Sequence, residues 1–388
     1  MRWLKSRLGA ILGMARRHPG MLALFGFVSG LASFLLIERN EAVAQIIALM
    51  MLVSWLWLVL EQALHDGVLA RFGLDMPPAL MRFATQMVHQ ESFFFVLPFF
   101  FAATHWGTGQ VWPTALLAFC ALVSLIDPLY YGQLATRRAL FVAFHALALF
   151  ATLLVALPII VHLTTGQSYF FSLLLALLLS LPGLGALLPP GNQWRRSALM
   201  LLLAALAIGA WQLRHHVAPV PMRLADVAVA HEVDRHARRA GVPVTTIDSD
   251  TLRQQGLYAW TAIRVPRGLR ETVYHVWIQD GEIIDRIALD IRGGRDEGYR
   301  AWSYKQHFPA RPEGEWQVRV TTGAGRVVGL TRFTVTATGP STPVSLMEPP
   351  PAVSVEIEVN VDTDSDSDGP ESLTGEVEEP VDPTETIP

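Results

Sequence analysis

A single cysteine, Cys120, stands in 388 residues, so no disulfide framework can form within this chain. There is no CxxC pair, no HExxH, no glycine-rich phosphate loop and no nucleophile elbow, so no cofactor, nucleotide site or catalytic triad is announced. His231 and His236 are spaced wrongly for one helical metal face, and no metal site is expected. Lysine is nearly missing too: Lys5 and Lys305 are the only two among 30 basic residues. An enzyme is thereby disfavoured but not excluded, because membrane-embedded enzymes escape such motifs.

What is abundant is apolar sequence, and it is unevenly placed. Hydrophobic residues make up 51% of the chain and concentrate before position 213. A bilayer core asks for roughly 17 to 25 mainly apolar residues per helix, and seven runs answer, near 20–37, 43–60, 86–106, 111–131, 139–163, 169–188 and 197–213. Arg2, Lys5, Arg7, Arg16 and Arg17 precede the first run. Arg71 and Arg82, Arg137 and Arg138, and Arg195 and Arg196 fill alternate gaps, while the opposite gaps hold only Arg39 beside Glu38 and Glu41. The basic gaps mark the cytoplasmic side, so the N-terminus is expected inside and the C-terminal region outside. The N-terminal stretch with Ala42-Val43-Ala44 imitates a secretory signal, but the charges from Glu38 to Glu41 lie between the apolar run and that site. Before Gly20 the chain reads either as a basic anchor or as an amphipathic helix with Trp3, Leu4, Leu8, Ile11 and Leu12 toward lipid.

After Leu213 the period changes to two. Strands are expected at about 222–230, 257–265, 272–279, 282–291, 299–307, 314–321 and 326–337, with turns at Asp280-Gly281, Gly293-Gly294 and Gly323-Ala324-Gly325. Seven short strands predict an immunoglobulin-like antiparallel β-sandwich, and Asp280-Gly281 marks its clearest hairpin. Residues 231–256 stay open between a long loop and one or two helical turns at Val233 to Ala240. Beyond Gly339 thirteen Asp or Glu residues occur with no Lys or Arg; the formal net charge is −4, so the chain without those thirteen stands at +9. Such a stretch buries too little to offset its ordering entropy and predicts a disordered acidic tail. Within it Asp364-Ser-Asp366-Ser-Asp368-Gly369 matches half of a calcium loop, but Gly375 stands where the closing carboxylate belongs. The expected domains are a basic N-terminus at 1–19, a transmembrane helical domain at 20–213, the β-sandwich at 214–338 and the tail at 339–388.

From Tyr258 to Val335 the chain resembles a bacterial domain-of-unknown-function family, twenty-nine fourteen. The resemblance rests on His275-Val276-Trp277, Asp280-Gly281, Gly293-Gly294-Arg295, Gly298-Tyr299-Arg300-Ala301-Trp302-Ser303, Gly314-Glu315-Trp316 and Arg332-Phe333. His89-Gln90-Glu91-Ser92-Phe93-Phe94-Phe95 and Leu97-Pro98-Phe99 look like the multi-span region that precedes this domain in some proteobacterial proteins. The resemblance implies a bacterial inner-membrane protein with a periplasmic C-terminal domain, and transfers no catalytic residue.

Two groups of residues are candidates for function. Alternation on the strand from Val273 to Gln279 puts Tyr274, Val276 and Ile278 on one face, read as core, and His275, Trp277 and Gln279 on the other. With Arg300, Trp302 and Tyr304 nearby, and Arg292 and Arg295 in the preceding turn, His275, Trp277, Arg295, Arg300 and Trp302 form a candidate surface. It would hold an envelope glycan or anionic polymer by stacking and bidentate bonds; the plainer and preferred reading is that the tryptophans pack between sheets and the Arg stems cover their edges. Ionisable residues inside the spans are the second group, since each is costly unless paired. His89, Glu91, Asp127 and His145 share a depth, with His65 and Asp66 in the adjoining loop. His89 and Glu91 lie about 200° apart on a helix and do not share one site, but either can pair with Asp127 or His145. The cluster suits a proton relay, a metal site or an ion path, or serves packing alone. The leading expectation is therefore an outer β-sandwich that binds or scaffolds an envelope glycan or a periplasmic protein. A small transporter or ion pathway is the alternative, and a membrane-embedded enzyme is third. Membrane lipids are the expected surroundings, nucleic acid is excluded by topology, and oligomeric state is not legible.

Overall fold

The computed structural model describes residue 28 and residues 41–64, 78–185, 193–294 and 297–337. The basic N-terminus, the first expected span at 20–37 (Val28 excepted), His65, Asp66, Arg295 and the acidic tail with its half calcium loop lie outside the described residues. What is described is a helical N-terminal region followed by a C-terminal β-sheet domain.

Among the described residues the helical region has six long helices: α1 (Glu41–Leu64), α2 (Pro78–Ala103), α3 (Val111–Leu125), α4 (Arg138–Val161), α5 (Thr165–Gly185) and α6 (Gln193–Gln212). On α2 the buried positions His89, Phe93, Val96, Phe100 and Ala103 recur at helical spacing, and they meet Trp55 of α1 and Leu149, Leu154 and Val155 of α4 in one apolar cluster. Cys120 is buried and free on α3.

The expectation of seven spans is corrected. Among the described residues two helices are long and apolar enough to cross a membrane, Arg138–Val161 and Arg196–His216, and a third is counted only if a bent pair forms one span. That pair is α3 and the segment Asp127–Leu134, which turns by 97° at Ile126. Counting apolar runs overlooks continuity and composition. The polar stretch from Gln86 to Ser92 dilutes α2, and the apolar parts of α1 and α5 are short, at Gln45–Leu56 and Thr165–Leu181. Pro128 explains the break. It has no N–H to give to the Ser124 carbonyl four residues back, Ile126 is extended, and the chain resumes as a short helix, Asp127–Leu129, and a π-helical turn, Tyr130–Leu134.

The β-sheet domain follows the expected strands closely: β1 (Arg223–Ala230), β5 (Leu257–Arg264), β6 (Arg270–Gln279), β7 (Glu282–Arg292), β8 (Tyr299–Lys305), β9 (Gly314–Thr322) and β10 (Val327–Thr336). The open stretch holds two-residue strands β2 (Val233–Asp234) and β3 (Arg239–Ala240), then β4 (Thr246–Asp248) and the helix α7 (Ser249–Gln255), capped by Asp248. No helical turn forms at Val233 to Ala240; the two short strands stand there. Asp280 and Gly281 both take positive φ, 47° and 91°, the conformation a two-residue hairpin turn needs, and Gln279 pairs with Glu282 across it.

The strands form a sheet ordered β1-β5-β8, a sheet ordered β4-β10-β9-β6-β7 and the small β2-β3 pair. The expected all-antiparallel pattern is broken by β4, which runs parallel to β10. Trp277, Trp316, Val318 and Phe333 of the larger sheet pack with Val229, Leu257 and Ala259 of the smaller one. A second cluster joins Val273, Val320 and Val328 to Met222, Ile263 and Leu269. Burying a large side chain contributes about 1.5–3 kcal/mol, so the three aromatics Trp277, Trp316 and Phe333 anchor the domain.

On β6 the expected core face is buried, and the opposite face is buried too. His275 and Trp277 are fully buried and stand beside Val320 and Val318 of β9. Val276 and Ile278 on the expected core face are buried as well. β6 is a central strand covered on both faces, so period-two alternation does not reveal which face meets the other sheet.

Candidate functional site

Around the broken helix, polar side chains from three elements meet. Tyr130 sits in the π-helical turn, His89 on α2 and His145 on α4. The Tyr130 hydroxyl lies 2.8 Å from His89 Nδ1, and His89 Nε2 lies 3.0 Å from His145 Nδ1. Trp55 of α1 closes the site, its ring 4.7 Å from that of His145 and its Nε1 donating to Ser92 Oγ at 2.9 Å. Phe93, Phe141 and Phe144 pack around the pair. His89 is fully buried, whereas His145 is partly exposed.

A second polar group stands beside the first. Gln86 Nε2 donates to the Ser124 carbonyl at 3.1 Å, the carbonyl freed by Pro128, and to Asp127 Oδ1 at 2.8 Å. Tyr131 donates to Gln86 Oε1 at 2.6 Å, and its ring meets Tyr130 edge-on at 5.1 Å. The helix break is thus repaired by a side chain, as a break inside a bundle must be.

The structure brings His89 and His145 of the expected cluster into contact and attaches Asp127 to Gln86. Glu91, half-buried on α2, joins neither group. Tyr130, Tyr131 and Gln86 were not anticipated; their only signal in the sequence is Asp127-Pro128, which breaks a helix just before two tyrosines.

Every member of the Tyr130, His89, His145 chain is both donor and acceptor. Either Tyr130 donates to His89 and His89 to His145, or the order runs the other way. Moving one proton along the chain converts the two. The chain is confined to the end of the bundle that carries Arg82, Arg137 and Arg138. From Ser92 to the next polar residue, Thr104 just past the end of α2, is a step of twelve residues, about 18 Å of helix, lined by buried Phe93, Val96, Phe99, Phe100, Leu149, Leu154 and Val155, with the hydroxyl of buried Thr152 turned onto its own helix at the Ala148 carbonyl.

At the opposite end the β-sheet domain is seated on the helices. Glu271 of β6 accepts from the backbone N–H of Thr165 at 2.7 Å and from its hydroxyl at 3.1 Å, which caps the start of α5 from another domain. Arg326, fully buried in the turn between β9 and β10, donates to the Thr165 carbonyl at 3.2 Å and lies 4.6 Å over the Tyr169 ring. Burial pushes Arg326 down to about 10, with Tyr169 and Glu271 opposing, and pushes the Glu271 carboxyl up against the pull of the Thr165 donors and Arg326. Gln110, before α3, donates to the Val327 carbonyl at 2.7 Å.

The candidate surface on the β-sheet domain is largely internal. His275 lies between Ser303 Oγ at 2.8 Å and Thr261 Oγ1 at 3.2 Å, and burial lowers it to about 3. Trp277 is core. Arg300 donates to the Ala237 carbonyl at 3.1 Å and pairs with Glu297, and Arg238 lies over Trp302 at 5.9 Å. The segment bearing β2 and β3 therefore engages Arg300 and Trp302. Tyr258 and the exposed Tyr304 stack at 4.4 Å on that same face.

A family model described as a family of unknown function, DUF5924, matches residues 1–259, and one described as a protein of unknown function, DUF2914, matches residues 270–335. No curated protein and no solved structure matches. The boundary between the two matches falls inside the β-sheet domain: β1 and the first three residues of β5 belong to the first, and β8 of the same sheet belongs to the second.

Proposed function

The chain belongs to the family of unknown function DUF5924, and from that premise we propose a membrane protein whose helical region holds a proton-transfer site open toward one end of the bundle. The observation that carries this reading is the unbroken hydrogen-bond chain Tyr130, His89, His145. Discontinuous helices and π-helical turns recur where ions or protons are handled inside bundles. The mainly apolar stretch of about 18 Å beyond Ser92 favours a site loaded from one side over a continuous channel, because Thr152 beside it gives its hydroxyl to its own helix at the Ala148 carbonyl.

The finer topology we propose is a helical region in the bacterial inner membrane, with a cytoplasmic N-terminus and an immunoglobulin-like sandwich on the periplasmic side. In its support, Gln110, Thr165 and the β-sheet domain share one end of the bundle, and Arg82, Arg137 and Arg138 begin helices at the other. Binding of an envelope glycan is a second reading. It falls to Trp302 with the stacked Tyr258 and Tyr304, since His275 and Trp277 are buried.

The test is ring nitrogen-15 NMR of histidine-labelled full-length protein in nanodiscs. Exchange between two tautomers at His89 is expected, collapsing to one in Tyr130→Phe, with a coupling across the His89–His145 bond. A single fixed tautomer at both rings, unchanged in Tyr130→Phe, overturns the relay. Steady proton leak through the protein in dye-loaded vesicles, abolished by His89→Gln, would establish a full channel instead of a one-sided site.

A further inference from the structure

Arg319 of β9 and Arg332 of β10 occupy one face of the larger sheet. Arg332 stands opposite Gln317, two residues from Arg319 on the same strand face, so the guanidinium groups are diagonal neighbours. Arg319 donates to Gln317 Oε1 at 3.1 Å, while its Nε is buried with no acceptor. Neither arginine pairs with a carboxylate among the described residues. The nearest acid along β9, Glu315, accepts from the Thr334 hydroxyl at 2.8 Å.

His105, in the loop that ends α2, lies close enough to feel the charge of both arginines. Its Nδ1 accepts from the Gly107 N–H at 3.3 Å. Next to it Trp106 is 57% exposed and stacks on Phe101, and Trp112 at the start of α3 is 78% exposed. Exposed tryptophans at the ends of apolar helices mark the level where hydrocarbon gives way to headgroups. The Gln110 to Val327 bond fastens the base of β10 to this same loop.

Unpaired guanidinium groups beside an exposed aromatic belt match one ligand class: phosphate oxygens accept the forked donors, and the tryptophans take the glycerol and chain region. We propose that the sheet face carrying Arg319 and Arg332, with His105, Trp106 and Trp112 below it, docks the phosphate of an anionic lipid headgroup. The belt at its foot favours a lipid over a soluble polyanion. This inference rests on the membrane reading above. Arg286 does not take part: it lies over the Tyr274 ring at 3.8 Å.

The full-length protein is placed in nanodiscs of phosphatidylcholine with and without phosphatidylglycerol, and retained lipids are counted by native mass spectrometry. Phosphatidylglycerol should be retained in preference. Each cationic side chain near an anionic surface contributes about 1 kcal/mol, so the preference should fall about 30-fold in the Arg319→Gln/Arg332→Gln protein. Arg319→Lys/Arg332→Lys should keep most of it, and Arg286→Gln should leave it unchanged. An unaltered preference in the double Gln protein overturns the proposal. So does polyphosphate binding in pure phosphatidylcholine discs that the same substitutions remove, which would assign the face to a soluble polyanion. Failure to enter discs of any composition would refute the membrane reading instead.

Discussion

Removing the Glu271 carboxylate should unseat the β-sheet domain from the helices. In Glu271→Ala two donors of Thr165, its N–H and its hydroxyl, lose their acceptor at a buried helix start, and orphaning a buried donor costs about 1–3 kcal/mol. Arg326, fully buried and bonded to the Thr165 carbonyl from the other side, loses the charge that offsets it. Glu271 and Arg326 act on each other only at longer range, with no ion-pair contact between them, so the orphaned donors set the size of the effect. They belong to one residue, and a loss of about 1–3 kcal/mol at the seam is expected. Amide hydrogen exchange of the full-length protein reads this directly: exchange of the Thr165 amide should rise about 5- to 150-fold, at 1.4 kcal/mol per factor of ten. Glu271→Gln, which keeps one acceptor oxygen, should fall between. If part of the cost is the stranded guanidinium, Glu271→Ala with Arg326→Met should be less damaging than the sum of the two single changes by more than about 1 kcal/mol. Thr165 protection within about threefold of the native value in Glu271→Ala would refute the reasoning.

Two further outcomes follow from the β-sheet domain. His275, buried between Ser303 and Thr261 with its pKa lowered to about 3 against an ordinary 6.5, stays neutral in the fold while the unfolded chain takes up a proton. Its contribution is therefore fully present above 6.5 and is lost as pH falls toward 3, by about 1.4 kcal/mol per pH unit; chemical unfolding at pH 7.5 and pH 5 should show this slope, and His275→Gln should remove that residue's share of it. Gly293→Ala should destabilise the domain by more than about 3 kcal/mol, because its methyl group would be driven into the Pro266 carbonyl, which is backbone and cannot turn aside; thermal melting close to that of the native protein would count against it.

Much of the β-sheet domain is legible in the sequence because strand boundaries are local. Alternation, Asp280-Gly281 and the glycine turns place seven strands to within two residues of the observed bounds. Alternation does not tell which face of β6 meets the other sheet, because Val276 and Ile278 are buried as His275 and Trp277 are, and the register that orients the strand comes from β9. In the helical region, His89 and His145 were expected to serve one site and do meet. Glu91 was grouped with them by depth alone, and depth carries no information about which way a helix is turned. Tyr130 escaped notice since an intact helix through 111–131 would have placed it on another face; only the bend at Ile126 swings it toward His89.

By itself the sequence determined a helical, apolar first part and a strand-rich second part with its turns, because hydropathy period and turn chemistry act over a few residues. It also carried the family membership. Only the tertiary structure decided that His275 and Trp277 are buried, that Gln86 repairs the break made by Pro128, and that Glu271 and Arg326, 106 and 161 residues from Thr165, clasp one peptide unit. Those contacts depend on how distant elements pack, and no local pattern encodes a hydrogen bond between residues so far apart.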